Sequence, residues 1–135
     1  MSFSKFFISS VFASAMAIPL AANADSAQCE LRANHASHVA PLRAEQRLGR
    51  STISKLVGAQ VFVPARAGLT AEWLRTRVEA HAASMQSSAM PGCPLSVNGV
   101  HVTVASGGTG FWVQLTSKDP SAAAEVLRRA AQIVR

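Results

Sequence analysis

The chain has 135 residues, with 13 Lys and Arg against 7 Asp and Glu for a formal net charge of +6. That length supports one domain with a single modest core and leaves no room for a second. The basic residues are spread along the chain, with no Lys/Arg run interleaved with aromatics. This argues against a nucleic-acid partner and for anionic envelope surfaces or acidic partner proteins.

The first element in chain order is a targeting segment. Lys5 follows a short start, Phe6 to Ala17 is almost free of polar residues, and Ala22-Asn23-Ala24 supplies a small-x-small cleavage site. These parts predict a secretory signal peptide over residues 1–24, because the apolar run falls short of the ~20 residues that span a bilayer. Gln28 before Cys29 is too large for lipoprotein processing. The expectation is an exported, periplasmic protein with no transmembrane anchor, its mature chain beginning near Asp25. Removing 24 of 135 residues leaves 111, at +5 because only Lys5 is lost. Cys29 and Cys93 are the only two cysteines. In an oxidising compartment they are expected to pair, closing a loop worth about 4 kcal/mol in the chain-entropy model.

Residues 25–40 read as a polar leader and residues 41–135 as one α+β domain. Pro41 to Leu56 carries Leu42, Leu48 and Ile53 in a broken helical pattern that predicts an N-terminal helix. Gly58 to Pro64 is β-branched and aromatic, the pattern of a strand. Thr70 is placed to cap a helix with Glu72 in its first turn. In that helix Leu74, Val78, His81 and Met85 share one stripe, and Glu72, Arg75 and Glu79 form an ion-pair ladder opposite. Ser87-Ser88 and Pro91-Gly92 end it. Asn98 to Ala105 and Gly110 to Ser117 flank Gly107-Gly108 as a hairpin. A turn centred on the two glycines would set Val104 opposite Phe111, Val102 opposite Val113 and Val100 opposite Leu115. Asp119 and Pro120 start a last helix with Ala123, Val126, Leu127, Ala130 and Val134 as its apolar stripe.

Strand, helix, hairpin and helix predict a small βαββα sandwich, a three-stranded sheet with both main helices on one face. Over residues 58–134 this order resembles a ferredoxin-like split βαβ unit lacking its last strand. Phe62, His101 and Trp112 point to the second face of such a sheet. Either the N-terminal helix covers them, or they form a homodimer or envelope-protein interface.

No nucleophile elbow, zinc-protease helix, phosphate loop or carboxylate pair occurs, and the expectation is a protein without enzymatic activity. The one constellation with ligand chemistry is His81, Met85, Met90 and Cys93. Imidazole, thioether and thiolate suit Cu(I), and His35 and His38 are further imidazoles. By ligand type the set resembles the Met/His/Cys sites of exported copper-handling proteins. Small heavy-metal-associated domains share a related βαββ order but carry Cys-x-x-Cys after the first strand; here that loop, Ala65 to Leu69, has no cysteine. Against a metal site, Met85 and His81 fit equally as core residues, and Cys93 as the disulfide partner of Cys29. Trp73 and Arg77 are spaced to stack as a surface cation–π pair. Two functions follow: a soft-metal (copper) module, or a disulfide-stabilised envelope interaction domain without metal.

Overall fold

The computed structural model describes residues 28–85 and 90–135. The signal peptide expected over 1–24 and the Ser87-Ser88 helix stop lie outside them. The elements are α1 (Glu30–Ala33), β1 (His38–Leu48), β2 (Ser51–Pro64), α2 (Ala71–Ser84), a 3-10 turn (Pro94–Ser96), β3 (His101–Ser106), β4 (Gly110–Thr116) and α3 (Pro120–Ile133). The strands form one antiparallel sheet in the order β1-β2-β4-β3.

The class is α+β, but the sheet has four strands where three were expected. β2 and β3 both run antiparallel to β4 and therefore share a direction, with α2 connecting them and β4 inserted between. That is the split βαβ arrangement expected for residues 58–134. The strand missing from its edge is supplied from the N-terminal side, by β1 pairing antiparallel to β2.

The helix expected over residues 41–56 does not form; the segment is the distal half of the β1–β2 hairpin. Leu48 pairs with Ser51, so the chain reverses over Gly49-Arg50. Leu42, Leu48 and Ile53 are too far apart for one helical face, and pairing along the length of β2 satisfies the backbone groups of β1 instead. The polar leader is also shorter than expected. Cys29, Leu31 and Asn34 are buried, and β1 has begun by His38.

Both main helices start where local chemistry places them. The Thr70 hydroxyl accepts the Trp73 amide at 3.1 Å, and an Asp119 carboxylate oxygen accepts the Ser121 amide at 3.1 Å. Their stripes meet the sheet on one side. Leu74 and Val78 of α2 join Val126 and Ala130 of α3 over Ala59, Val61, Val63, Val113 and Leu115, all fully buried. Each of the leucine and valine side chains contributes roughly 1.5–3 kcal/mol on leaving water. Leu31 and Leu95 close the ends of the same cluster.

The β3–β4 hairpin forms with its faces as expected and its register displaced by two residues. Val104 lies opposite Val113, Val102 opposite Leu115 and Ser106 opposite Phe111. The Gly107 amide donates to the Gly110 carbonyl at 2.8 Å, which centres the turn on Gly108-Thr109. Only Gly108 of these two has positive φ, +66°, the sign pattern of a type II′ turn. The β1–β2 ladder carries a bulge, since Leu42 opposes Gly58 while Arg43 opposes Leu56, leaving Val57 unmatched.

Candidate functional site

Cys29 precedes α1 and Cys93 precedes the 3-10 turn, and the two are joined in a disulfide with Cα atoms 5.6 Å apart. The bridge is sealed, with Cys93 1% and Cys29 7% exposed. His81, half-buried in the last turn of α2, brings Nε2 to 3.7 Å from the Cys93 sulfur. One ligand atom each from Cys29, His81 and Cys93 lies within 4.8 Å of the others. Burial holds the imidazole below its ordinary pKa, with nearby Arg77 acting in the same sense and Glu30 opposing it. The ring is therefore biased toward its neutral form, the form that ligates metal.

The loop bearing Cys93 is braced from α3. Arg129 Nη1 donates to Ser96 Oγ at 2.7 Å and to the Cys93 carbonyl at 3.3 Å, while its Nε donates to Glu125 at 2.6 Å. Ser96 Oγ in turn lies 2.8 Å from the carbonyl oxygens of Met90 and Cys93. Two arginines hold Glu125, and their hydrogen bonds pull its carboxyl down to about 2.

Of the four expected metal ligands, His81 and Cys93 come together. Met85 is buried where α2 ends and Met90 is half-buried against the core cluster. The third ligand of the converging set is Cys29, assigned from sequence only to the disulfide. His35 is exposed, and His38 lies on the far face of the sheet, against Trp112.

That far face holds the three residues expected at an interface. Phe62 and Trp112 pair across β2 and β4 with ring centroids 5.0 Å apart, and His38 meets Trp112 edge-on at 6.0 Å. His101 stands exposed at the other end, opposite Thr116. No N-terminal helix covers these rings among the described residues, because α1 packs into the core on the helical side and β1 extends the sheet. No side chain on this face is buried. From His38 to Leu42 and across to β3 the paired positions carry His, Ala, Leu, Gln, Phe, Trp and Thr without formal charge, and one cation, Lys55, stands at the end of the face beside His101 and Thr116.

A polar network at α1 was not anticipated. Asn34, 2% exposed, donates to the Glu30 carbonyl at 2.8 Å and to its carboxylate at 3.2 Å, and accepts from Arg66 at 2.6 Å. Arg77 completes it with an Nε bond to Glu30 at 3.1 Å, and its guanidinium lies 5.6 Å from the Trp73 ring centroid. The sequence signal available was Glu30, a carboxylate directly beside a half-cystine and therefore in need of partners once that cysteine is buried.

Comparison with protein-family models, curated proteins and solved structures finds no match.

Proposed function

We propose that this chain is a non-enzymatic module of an oxidising, extracytoplasmic compartment that self-associates through the uncovered face of its sheet. The observation carrying this reading is the uncovered face itself, where the tilted rings of Phe62 and Trp112 meet across β2 and β4, His38 and Ala105 flank them, and the row of Gln60, Gln114 and Thr103 lies alongside. In a chain of net charge +6, two copies meeting through a face whose one cation, Lys55, stands at its end bring few like charges into contact. Aromatic side chains are enriched at protein interfaces, where hydrogen-bonding groups accompany them. The disulfide and the Arg129 brace keep the opposite side of the domain rigid. Sedimentation equilibrium of the bridged protein tests this. A monomer–dimer equilibrium should appear and weaken by about tenfold or more in Trp112→Ala; a protein that stays monomeric at every accessible concentration removes the reading.

A second reading is favoured by the convergence of Cys29, His81 and Cys93. In the bridged protein these three donor atoms lie within 4.8 Å of one another, and reduction would free two thiols beside the imidazole, a donor set that selects soft cations such as Cu(I). Titrating the reduced protein with Cu(I) against a chromophoric chelator tests it. Stoichiometric binding lost in His81→Ala supports copper capture, whereas affinity unchanged in that variant, or no binding at all, rejects it.

A further inference from the structure

The β1–β2 hairpin reaches well past the sheet. β2 pairs with β4 only from Gly58 onward, whereas β1 and β2 continue to pair out to Leu48 and Ser51. Six residue pairs beyond the bulge form a two-stranded arm, roughly 20 Å long at about 3.4 Å per residue. Every residue from Arg43 to Lys55 is exposed.

We infer that this arm docks on an anionic lipid surface. Its charge is one-sided: Arg43, Arg47, Arg50 and Lys55 stand against Glu45 alone. None of the four cations comes within bridging distance of a carboxylate among the described residues, Lys55 acting on Asp119 only at longer range, whereas Arg75, Arg77, Arg128 and Arg129 make five ion pairs with Glu30, Glu72, Glu79 and Glu125. The arm also carries two of the three large apolar side chains exposed among the described residues, Leu48 at 52% and Ile53 at 43%. The register puts both on one face beside the turn, since Leu48 opposes Ser51 and Gln46 opposes Ile53. The Arg43 and Arg47 side chains alternate onto the other face, and Arg50 sits in the turn.

An apolar tip flanked by unpaired guanidinium groups matches the bilayer interface. There the tip leaves water among the acyl chains, and the long basic side chains reach phosphates at headgroup level. Each basic residue near an anionic leaflet adds attraction that salt screens. Nucleic acid fits less well, because the arm has no aromatic residue to stack on a base and Leu48 and Ile53 gain nothing on a phosphate backbone. Basic residues also protect free strand edges from pairing, but that role does not call for exposed Leu and Ile at the end.

Vesicle co-sedimentation of the disulfide-bonded chain measures the increment in binding when phosphatidylcholine is mixed with phosphatidylglycerol. Residues 1–17, with Lys5 beside an apolar run, are the same in the parent chain and in every arm variant, so the loss of increment in the variants isolates the arm. We expect a clear increment that falls as salt is raised. It should drop by roughly tenfold or more in R43Q/R47Q/R50Q/K55Q and by about tenfold in L48S/I53S. These substitutions are at exposed positions, and far-UV circular dichroism with thiol counting checks that the variants keep the fold. The inference is overturned if phosphatidylglycerol adds no binding or if the increment survives both variants. It is equally overturned if only the charge variant matters and heparin competes fully, which would make the arm a general polyanion binder. Dimerisation through the sheet face should be unaffected by L48S/I53S and by R43Q/R47Q/R50Q alone, so the two surfaces are separable, Lys55 being the one arm cation that stands beside His101 and Thr116 of that face.

Discussion

The Nε2 atom of His81 stands 3.7 Å from the sulfur of Cys93, at the junction of α2, α1 and the loop that Arg129 braces. Burial depresses the imidazole's pKa in the folded protein, whereas the unfolded chain titrates near the ordinary value of about 6.5. The unfolded state therefore takes up the proton first as pH falls. The stability contributed by neutral His81 is complete above about pH 6.5 and is lost as pH falls through the lower folded-state value. An NMR titration of the bridged protein should place the His81 ring below 6.5. In His81→Gln that part of the pH dependence of unfolding should disappear; a His81 ring titrating at or above 6.5 refutes the assignment.

The disulfide spans 64 residues of sequence and joins the start of the described chain to the turn before β3. Its removal in Cys29→Ala/Cys93→Ala should cost about 4 kcal/mol, chiefly by releasing the unfolded chain. Urea unfolding checks this through two quantities. The midpoint should fall sharply, and the m-value should rise because the uncrosslinked unfolded state exposes more surface. A midpoint shift worth less than about 1 kcal/mol would mean that core packing alone holds α1 in place.

Two glycines should respond differently to alanine. At Gly58, beside the β-bulge, an added Cβ would overlap the carbonyl oxygen of Leu115 in the neighbouring strand, and neither backbone can yield without breaking the β2–β4 ladder. Gly58→Ala should therefore cost roughly 3 kcal/mol or more. At Gly108 the surrounding space is open, and the penalty comes only from the left-handed backbone, at about 1 kcal/mol. Equal losses in thermal unfolding of the two variants would contradict the bulge geometry.

What the sequence made legible was what neighbouring residues decide among themselves. Thr70 with Trp73, Asp119 with Ser121, and the stripe of Leu74, Val78 and Met85 are all settled within a few positions. The β3–β4 hairpin was readable as a hairpin, but its register depends on whether Gly107-Gly108 or Gly108-Thr109 closes the turn, and both are acceptable locally. Residues 41–56 were misassigned because Leu42, Leu48 and Ile53 carry no clear period. They are strands through their pairing with one another and with a β2 that β4 anchors, which is non-local information. The same limit hid the sulfur–imidazole cluster. Cys29 and His81 are distant in sequence and meet only because α1 packs against α2.

Glu125 offers the last test, because its two arginines link surface charge to the loop that holds Cys93. Arg128 bonds both of its carboxylate oxygens, at 2.8 and 2.6 Å, and Arg129 bonds one at 2.6 Å. These bonds lower its folded pKa from 4.5 to about 2, so the folded state holds the charge at a pH where the unfolded chain is protonated. The associated stability is present in full above about pH 4.5 and is lost as pH falls toward about 2. Glu125 is partly open to solvent and salt and Arg128 is exposed, so their share of the total should be small and reduced at high ionic strength. Its structural consequence should be easier to detect. In Glu125→Gln the guanidinium of Arg129 loses its anionic anchor while keeping only Ser96 and the Cys93 carbonyl, and the 3-10 turn that follows Cys93 should open more often. Hydrogen exchange at the Ser96 and Val97 amides, which donate to the Cys93 and Pro94 carbonyls, should then accelerate several-fold near neutral pH. Unchanged exchange at those two amides, with the acid dependence of unfolding also unaltered, would show that Glu125 restrains neither Arg129 nor the disulfide loop.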